Sequence, residues 1–251
     1  MRLDDQVVVV TGASRGLGRS IALAMAEEGA QVVLAARDGR ALNAVAAEVE
    51  SMGRDALVVC CDVREPAAIA QLAERTLLEF GRVDTLVNSA GVALRRPLLE
   101  LTSAEWDELF DVLVRGTMLV TQVMLPAMIA RKRGNIINLA APLERIEMPG
   151  FAAYAAAKYA IAGLTKTLAK ELRRYGINVN GLHPGGFADT AMVRSVMGAP
   201  GSPGAPTQLL DPSVITPAAV ALAAQPARGL TGDIVDAVAW NTDPGLGAGL
   251  G

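Results

Sequence analysis

Residues Val7–Gly18, VVVVTGASRGLG, constrain what this chain can fold into more than any other stretch. Four β-branched residues in a row read as a short strand buried on both faces. Glycines follow at positions 12, 16 and 18. Arg19–Glu28 (RSIALAMAEE) is a good helix former with almost no breaker. Strand, glycine loop and helix N-terminus together aim backbone N–H groups and the positive helix end at an anion. The glycines let the backbone approach a pyrophosphate that a Cβ would block.

The rest of the chain supports that start. In its 251 residues, 51% hydrophobic and 20% charged residues provide for a sizeable core and argue against disorder. A net charge of −3 gives no basic footprint for nucleic acid. Arg131-Lys132-Arg133 reads as a solvated helix end. The charged MRLDDQ start leads straight into a strand, so no signal peptide is expected. No uninterrupted apolar run reaches about 18 residues, so no membrane span is expected. Adjacent Cys60 and Cys61 are a poor disulfide pair and point to a reduced, cytoplasmic setting. One histidine, His183, and two neighbouring cysteines make no usual zinc set, so no metal is expected.

Strand and helix signals alternate. Strands are expected at Gln31–Ala35, Ala56–Cys61, Thr85–Asn88, Asn135–Leu139, Ile177–Leu182 and around Asp233–Ala239. Helices are expected over Ala41–Met52, over Pro66–Phe80 with Gly81 at its end, from a Thr102–Glu105 capping box towards Lys132, and over Ala153–Tyr175. Pro126 allows a kink in the third of these. Thr216-Pro217 reads as N-cap and first residue of a short helix. The pattern implies one α/β domain over residues 1–251, a doubly wound, mostly parallel sheet of seven strands, with its ligand at the strands' carboxyl ends. The Pro- and Gly-rich stretch Ser195–Ser213 reads as a lid over a substrate site or a plain surface loop.

Tyr154 and Lys158 stand four apart in Y-A-A-A-K, on one face of a helix. A lysine there can lower a phenol pKa and fit it for acid–base work near neutral pH. With TGASRGLG (11–18), Asp62-Val63, NSAG (88–91), Tyr154/Lys158 and His183-Pro184-Gly185 in this order, the chain resembles the short-chain dehydrogenases/reductases over nearly its whole length. The resemblance implies a Rossmann sheet, a nicotinamide cofactor and hydride transfer to or from a carbonyl or alcohol. It places Gly12, Ser14, Arg15, Gly16, Leu17 and Gly18 around the pyrophosphate, Asp62 on the adenine amine and Val63 beside the ring. It has Asn88 brace the central strand beside Ala90 and Gly91, and brings Pro184, Gly185 and Thr190 to the nicotinamide amide. Tyr154 would exchange the proton, while Lys158 holds the ribose and lowers the tyrosine pKa. A homotetramer built on the long helices is also implied.

Charge argues the cofactor. The position where NAD-preferring relatives carry an acid is Ala36, and Arg37 follows it. With Arg15 in the loop, two guanidinium groups suit a 2′-phosphate, favouring NADP(H) over NAD(H). Asp38 is the counter-argument: it either turns inward to serve NAD or pairs with an arginine. Two of the family's four active-site members are missing. Ala141 stands where the resemblance puts the serine that polarises the substrate oxygen. Leu113 stands where it puts the asparagine that holds a relay water. On the substrate side, Ala141, Leu143 and Glu144 join Tyr154 as candidates, Glu144 being either an acid–base group or part of a solvated loop.

Three functions follow. The first is an NADP(H)-dependent oxidoreductase acting on a small, apolar carbonyl or alcohol with Tyr154 and Lys158. The second is a non-redox isomerase, cyclase or lyase on the same scaffold. The third is a nucleotide-binding protein with little catalysis.

Overall fold

The structure, a computed structural model, describes residues 1–198 and 206–243 apart from the side chain of Glu144. Its strands are β1 (Val7–Thr11), β2 (Gln31–Ala36), β3 (Ala56–Cys60), β4 (Thr85–Asn88), β5 (Gly134–Leu139), β6 (Ile177–His183) and β7 (Ile234–Asp236). They form one parallel sheet in the order β3-β2-β1-β4-β5-β6-β7. The helices are α1 (Gly16–Glu27), α2 (Gly39–Ser51), α3 (Pro66–Phe80), α4 (Ser103–Phe110), α5 (Gly116–Arg131), α6 (Ala152–Leu172), α7 (Ala191–Met197), α8 (Thr216–Ala224) and α9 (Ala237–Thr242).

Val7–Thr11 is buried throughout because β1 has neighbours on both edges and helices on both faces. Val8 and Val10 join a core with Ile21, Met25, Leu42, Val45 and Leu222, under α1, α2 and α8. Val7 and Val9 join Ile69, Leu72, Val120, Met124 and Leu172 on the other face, under α3, α5 and α6. The strand order turns back between β1 and β4, so the loops leaving these two strands diverge and open a cleft at their carboxyl ends.

Several boundaries differ from the sequence reading for local reasons. α1 begins at Gly16, inside the glycine loop, rather than at Arg19. α2 begins earlier too, because Asp38 caps it by accepting from the Ala41 N–H at 3.0 Å. The expected capping box at Thr102 and Glu105 is present. The helix it opens continues to Arg131 past Pro126, and its irregularity is a π-turn at Asp111–Arg115 instead. Ser103–Arg131 is long and apolar enough in composition to cross a membrane, but residues such as Val120, Met124 and Met128 face the protein core. β7 is only Ile234–Asp236, since Asp236 caps α9 and turns the chain into a helix. Thr216 is the first residue of α8 rather than its cap, and its hydroxyl donates to Ser213 O. Ser195–Met197, expected in the long loop, completes α7, and residues 199–205 of that stretch lie outside the described residues.

A buried polar chain ties the sheet to α6. Asn88 Nδ2 donates to Asn138 Oδ1 at 2.9 Å and to Thr121 Oγ1 at 3.0 Å, and Asn138 Nδ2 donates to Thr165 Oγ1 at 2.9 Å. Asn138 therefore braces β4, β5 and α6 through side chains and lies fully buried off the cavity wall. Removing it strands two buried partners, so Asn138→Ala is expected to lower unfolding free energy by about 2 kcal/mol, read by urea denaturation.

Candidate functional site

The cleft is held open and in register by Thr11, the last residue of β1. Its hydroxyl accepts from the Ser89 and Ala90 N–H groups, each at 3.1 Å, and reaches Val87 O at 3.4 Å. This fixes the turn after β4 against the turn after β1. A Cβ on Gly12 would stand 2.8 Å from Ala90 Cα, and its φ of +67° already favours glycine. A Cβ on Gly18 would collide with Gly12 O. The glycines at 12 and 18 are thus required by close backbone approach, as the sequence suggested. Arg15 precedes α1 in extended backbone and makes no side-chain cap, so the first N–H groups of α1 are left to the cleft.

The cavity between these loops measures about 540 Å³. Its walls bring together Gly12, Ser14, Arg15, Gly16, Leu17, Gly18, Arg37, Asp62, Val63, Ala90, Gly91, Ala141, Tyr154, Lys158, Pro184 and Thr190. Thr190 caps α7 by accepting from Val193 N, and its methyl lies 3.2 Å from where a Gly16 Cβ would stand. Three expected residues are not on the wall. Asn88 sits behind it in the buried polar chain. Gly185 turns towards β7, where a Cβ would meet Asp236 and Val238. Leu143 lies on a short 3-10 turn, Leu143–Arg145, away from the cavity. The side chain of Glu144 lies outside the described residues.

At the end of the cleft formed by β2 and β3, the charges are sorted. Arg15 and Arg37 are exposed and hold no ion-pair partner among the described residues. Asp38 lines the cavity beside Arg37 and forms no ion pair with an arginine among the described residues; its Oδ1 caps α2. Asp62 accepts from Arg64, with Nε 3.1 Å from Oδ1 and Nη2 2.7 Å from Oδ2, and from the Arg64 backbone N–H at 3.0 Å. These bonds hold the Asp62 carboxyl below its ordinary pKa. Arg64 was missed in the sequence; a basic residue two places after the acid is its only signal.

Tyr154 and Lys158 meet on one face of α6, with the lysine nitrogen 5.7 Å from the centre of the tyrosine ring. Lys158 is buried, and its ammonium donates to Leu139 O at 2.7 Å. Burial pushes the Lys158 pKa down to about 8. Burial also pushes the Tyr154 phenol up to about 12. This differs from the expectation that lysine lowers the phenol: in the chain alone, desolvation by burial is the cause of the shift, and it runs upward.

The remaining wall near Tyr154 is apolar. Ala140, Ala141, Ile146, Met148, Phe151, Met192, Val193, Val196 and Met197 contribute to it. Ala141 is buried and has no side-chain donor. Leu113 stands in the π-turn with its carbonyl accepting from Thr117 Oγ1 at 2.7 Å, and its side chain packs with Leu109, Ala153, Ala157 and Tyr154. Phe151 escaped the sequence reading, because the turn that brings it inward has no periodic pattern. Arg145 ties its turn to the Pro184–Phe187 loop by donating to Gly185 O. His183 accepts the Gly185 N–H through Nδ1 at 3.1 Å, a loop-shaping bond. Cys60 and Cys61 are both free thiols, and burial raises Cys61 to about 11, so it is not a reactive thiolate. No group of residues able to hold a metal occurs among the described residues.

The family model for short chain dehydrogenases matches residues 6–199. This chain belongs to the short-chain dehydrogenase/reductase family. It is 39% identical over 199 residues to a 3-oxoacyl-[acyl-carrier-protein] reductase of Synechocystis sp., covering 79% of this chain and 80% of the relative. It is 36% identical over 188 residues to a gluconate 5-dehydrogenase of Gluconobacter oxydans, covering 75% and 73%. Among solved structures, it resembles a metagenomic short-chain oxidoreductase in complex with NADP, with TM-score 0.81 and 35% identity over 94% of this chain and 98% of that one. It also resembles a variant of the actinorhodin polyketide ketoreductase with NADPH, with TM-score 0.84 and 29% identity over 92% and 95%. The family fold is the doubly wound sheet described above, and it is shared by oxidoreductases.

The lysine's burial has a consequence for stability. A base whose folded pKa lies below its unfolded value binds fewer protons when folded between those values, so its penalty is relieved as pH rises. For Lys158 the window opens at about 8 and runs to 10.5. Wild type is therefore expected to gain stability relative to Lys158→Met as pH is raised from 7.5 to 9, measured by denaturant melts of both proteins. A constant difference between them across that range contradicts the buried, weakened ammonium.

Proposed function

We propose that this short-chain dehydrogenase/reductase is an NADP(H)-dependent oxidoreductase that interconverts a carbonyl and an alcohol on a small, apolar substrate. The observation that carries this reading is the cleft itself. It joins a glycine cradle with no room for side chains, two arginines without ion-pair partners, and the Tyr154–Lys158 face. The residues fit the cofactor: the α1 N-terminus and Gly12–Gly18 would hold the pyrophosphate, Arg15 and Arg37 the 2′-phosphate, and Asp62 and Val63 the adenine. When bound, NADPH supplies hydride to the carbonyl carbon.

Tyr154 then gives its proton to the carbonyl oxygen. A phenol pushed up to about 12 keeps that proton at neutral pH and is a donor ready for a developing alkoxide. Lys158 uses one donor on Leu139 O and directs the rest to the ribose hydroxyls. The apolar wall excludes water from the reacting carbonyl and selects an apolar substrate. With alanine at 141, Tyr154 is the only side-chain donor proposed for the substrate oxygen. α7 and the stretch to Ser213 are proposed as the lid, since Met192, Val193, Val196 and Met197 already face the cavity. We further propose a cytoplasmic homotetramer packed through α4, α5 and α6, where Trp106, Met118 and Tyr159 leave apolar surface.

The second reading, a non-redox isomerase, cyclase or lyase, draws on the same bare wall at Ala141. One assay separates them: NADPH absorbance followed with a panel of apolar ketones, with products checked by mass spectrometry. Carbonyl reduction that falls by about 10²–10⁴ in Tyr154→Phe supports the oxidoreductase. Rearranged substrate without NADPH oxidation supports the non-redox enzyme, and cofactor binding with neither supports a nucleotide-binding protein. In the first case Ala141→Ser is expected to raise kcat about tenfold or more, since loss of one such donor elsewhere costs about 10²–10³. An unchanged kcat contradicts the role given to position 141.

A further inference from the structure

Two carboxylates stand where the cleft meets β2 and β3, and both are engaged. Asp38 is held by the first turn of α2. Asp62 is held by the Arg64 fork, with both carboxylate oxygens taken at 2.7–3.2 Å. Arg64 is fixed in turn from the far side. Its Nη1 lies 3.5 Å from Glu108 on α4, and its carbonyl accepts from Arg115 Nη1 at 3.1 Å. Arg64 does not line the cavity, whereas Arg37 does. Arg37 and Asp62 nevertheless leave the ends of neighbouring strands side by side, since the Cys61 N–H donates to Ala36 O at 2.9 Å, and both line the cavity. Arg37 is thus the next cation available to Asp62 on the cavity side.

We propose that Arg64 determines cofactor specificity as a positioning residue, clamping Asp62 so that this carboxylate does not capture Arg37 and the Arg37 guanidinium stays open to the 2′-phosphate of NADP(H). The proposal rests on the reading of the cleft as an NADP(H) site. Its physical basis is competition for one planar fork. A guanidinium paired bidentately with a carboxylate has its best donors occupied and presents little to a phosphate. Arg64 supplies that pairing from behind the wall, where it meets no ligand. The cap on α2 takes one oxygen of Asp38, which pairs with no arginine among the described residues. NADH has no phosphate to place on Arg37, so freeing Asp62 would harm NADPH binding selectively.

The test is fluorescence titration of NADPH and NADH into the full-length wild type, Arg64→Ala, Asp62→Asn and the double variant, with each fold checked by circular dichroism. Wild type is expected to prefer NADPH. Arg64→Ala is expected to weaken NADPH about tenfold while NADH changes less than about twofold, the size of one lost charge-assisted contact. The double variant regains the preference, because an amide does not compete for Arg37. Equal weakening of both cofactors, or full preference kept in Arg64→Ala, overturns the proposal. If Arg64→Ala does not fold, Asp62→Asn decides: with no carboxylate to compete, its preference for NADPH must be at least that of wild type, and a smaller preference overturns the proposal. Wild type that binds neither cofactor, or prefers NADH, overturns the cofactor reading itself and the role of Arg64 with it.

Discussion

The turn after β1 and the turn after β4 touch with no space for a methyl group between them. Gly12 lies against Ala90, and the Thr11 hydroxyl takes the N–H groups of Ser89 and Ala90. This contact sets the width of the cleft at the switch point of the sheet. It leaves the N-terminal N–H groups of α1 facing the cavity and fixes Gly91 beneath Leu113, where a Cβ would lie 3.2 Å from the leucine methyl. A larger residue at 12 or 18 would part the two turns and spoil the anion site and the catalytic wall together.

At Tyr154 and Lys158, desolvation sets the direction of both pKa shifts. Burial raises the Tyr154 phenol and lowers the Lys158 ammonium, and Tyr154 packs against Leu109, Leu113, Ala153 and Ala157. The π-turn at Asp111–Arg115 is part of that packing. It presents Leu113 to Tyr154, and Thr117 satisfies the Leu113 carbonyl. A wider helical turn thus persists at a position occupied by an apolar side chain. Leu113 gives the cavity an apolar wall at that point, and a low-dielectric wall strengthens the dipoles beside it.

The sheet was legible because parallel strands buried on both faces are continuous β-branched runs, and VVVV, QVVLA and NIINL say so directly. The glycine cradle was legible because its spacing encodes close approach. The side chains that finish the site were harder. Asp38 is ambiguous in sequence, since a cap and a ribose ligand use the same kind of carboxylate, and in the structure it caps α2 through Oδ1 while lining the cavity. Arg64 and Arg145 act across loops, where no periodicity relates a residue to its partner. The direction of the Tyr154 shift was misread because spacing on a helix shows a neighbouring charge but not the desolvation that competes with it. Ile146 and Met148 entered the wall through a 3-10 turn and the bend after it, which carry no pattern to read.

The most direct measurement is a crystal structure of the chain grown with NADP⁺. The expected density has the pyrophosphate on the N–H groups that open α1, the 2′-phosphate between Arg15 and Arg37, and the nicotinamide ring facing the Tyr154 hydroxyl. A dinucleotide bound outside this cleft, or one whose adenosine lies against Tyr154 and Lys158, would contradict it.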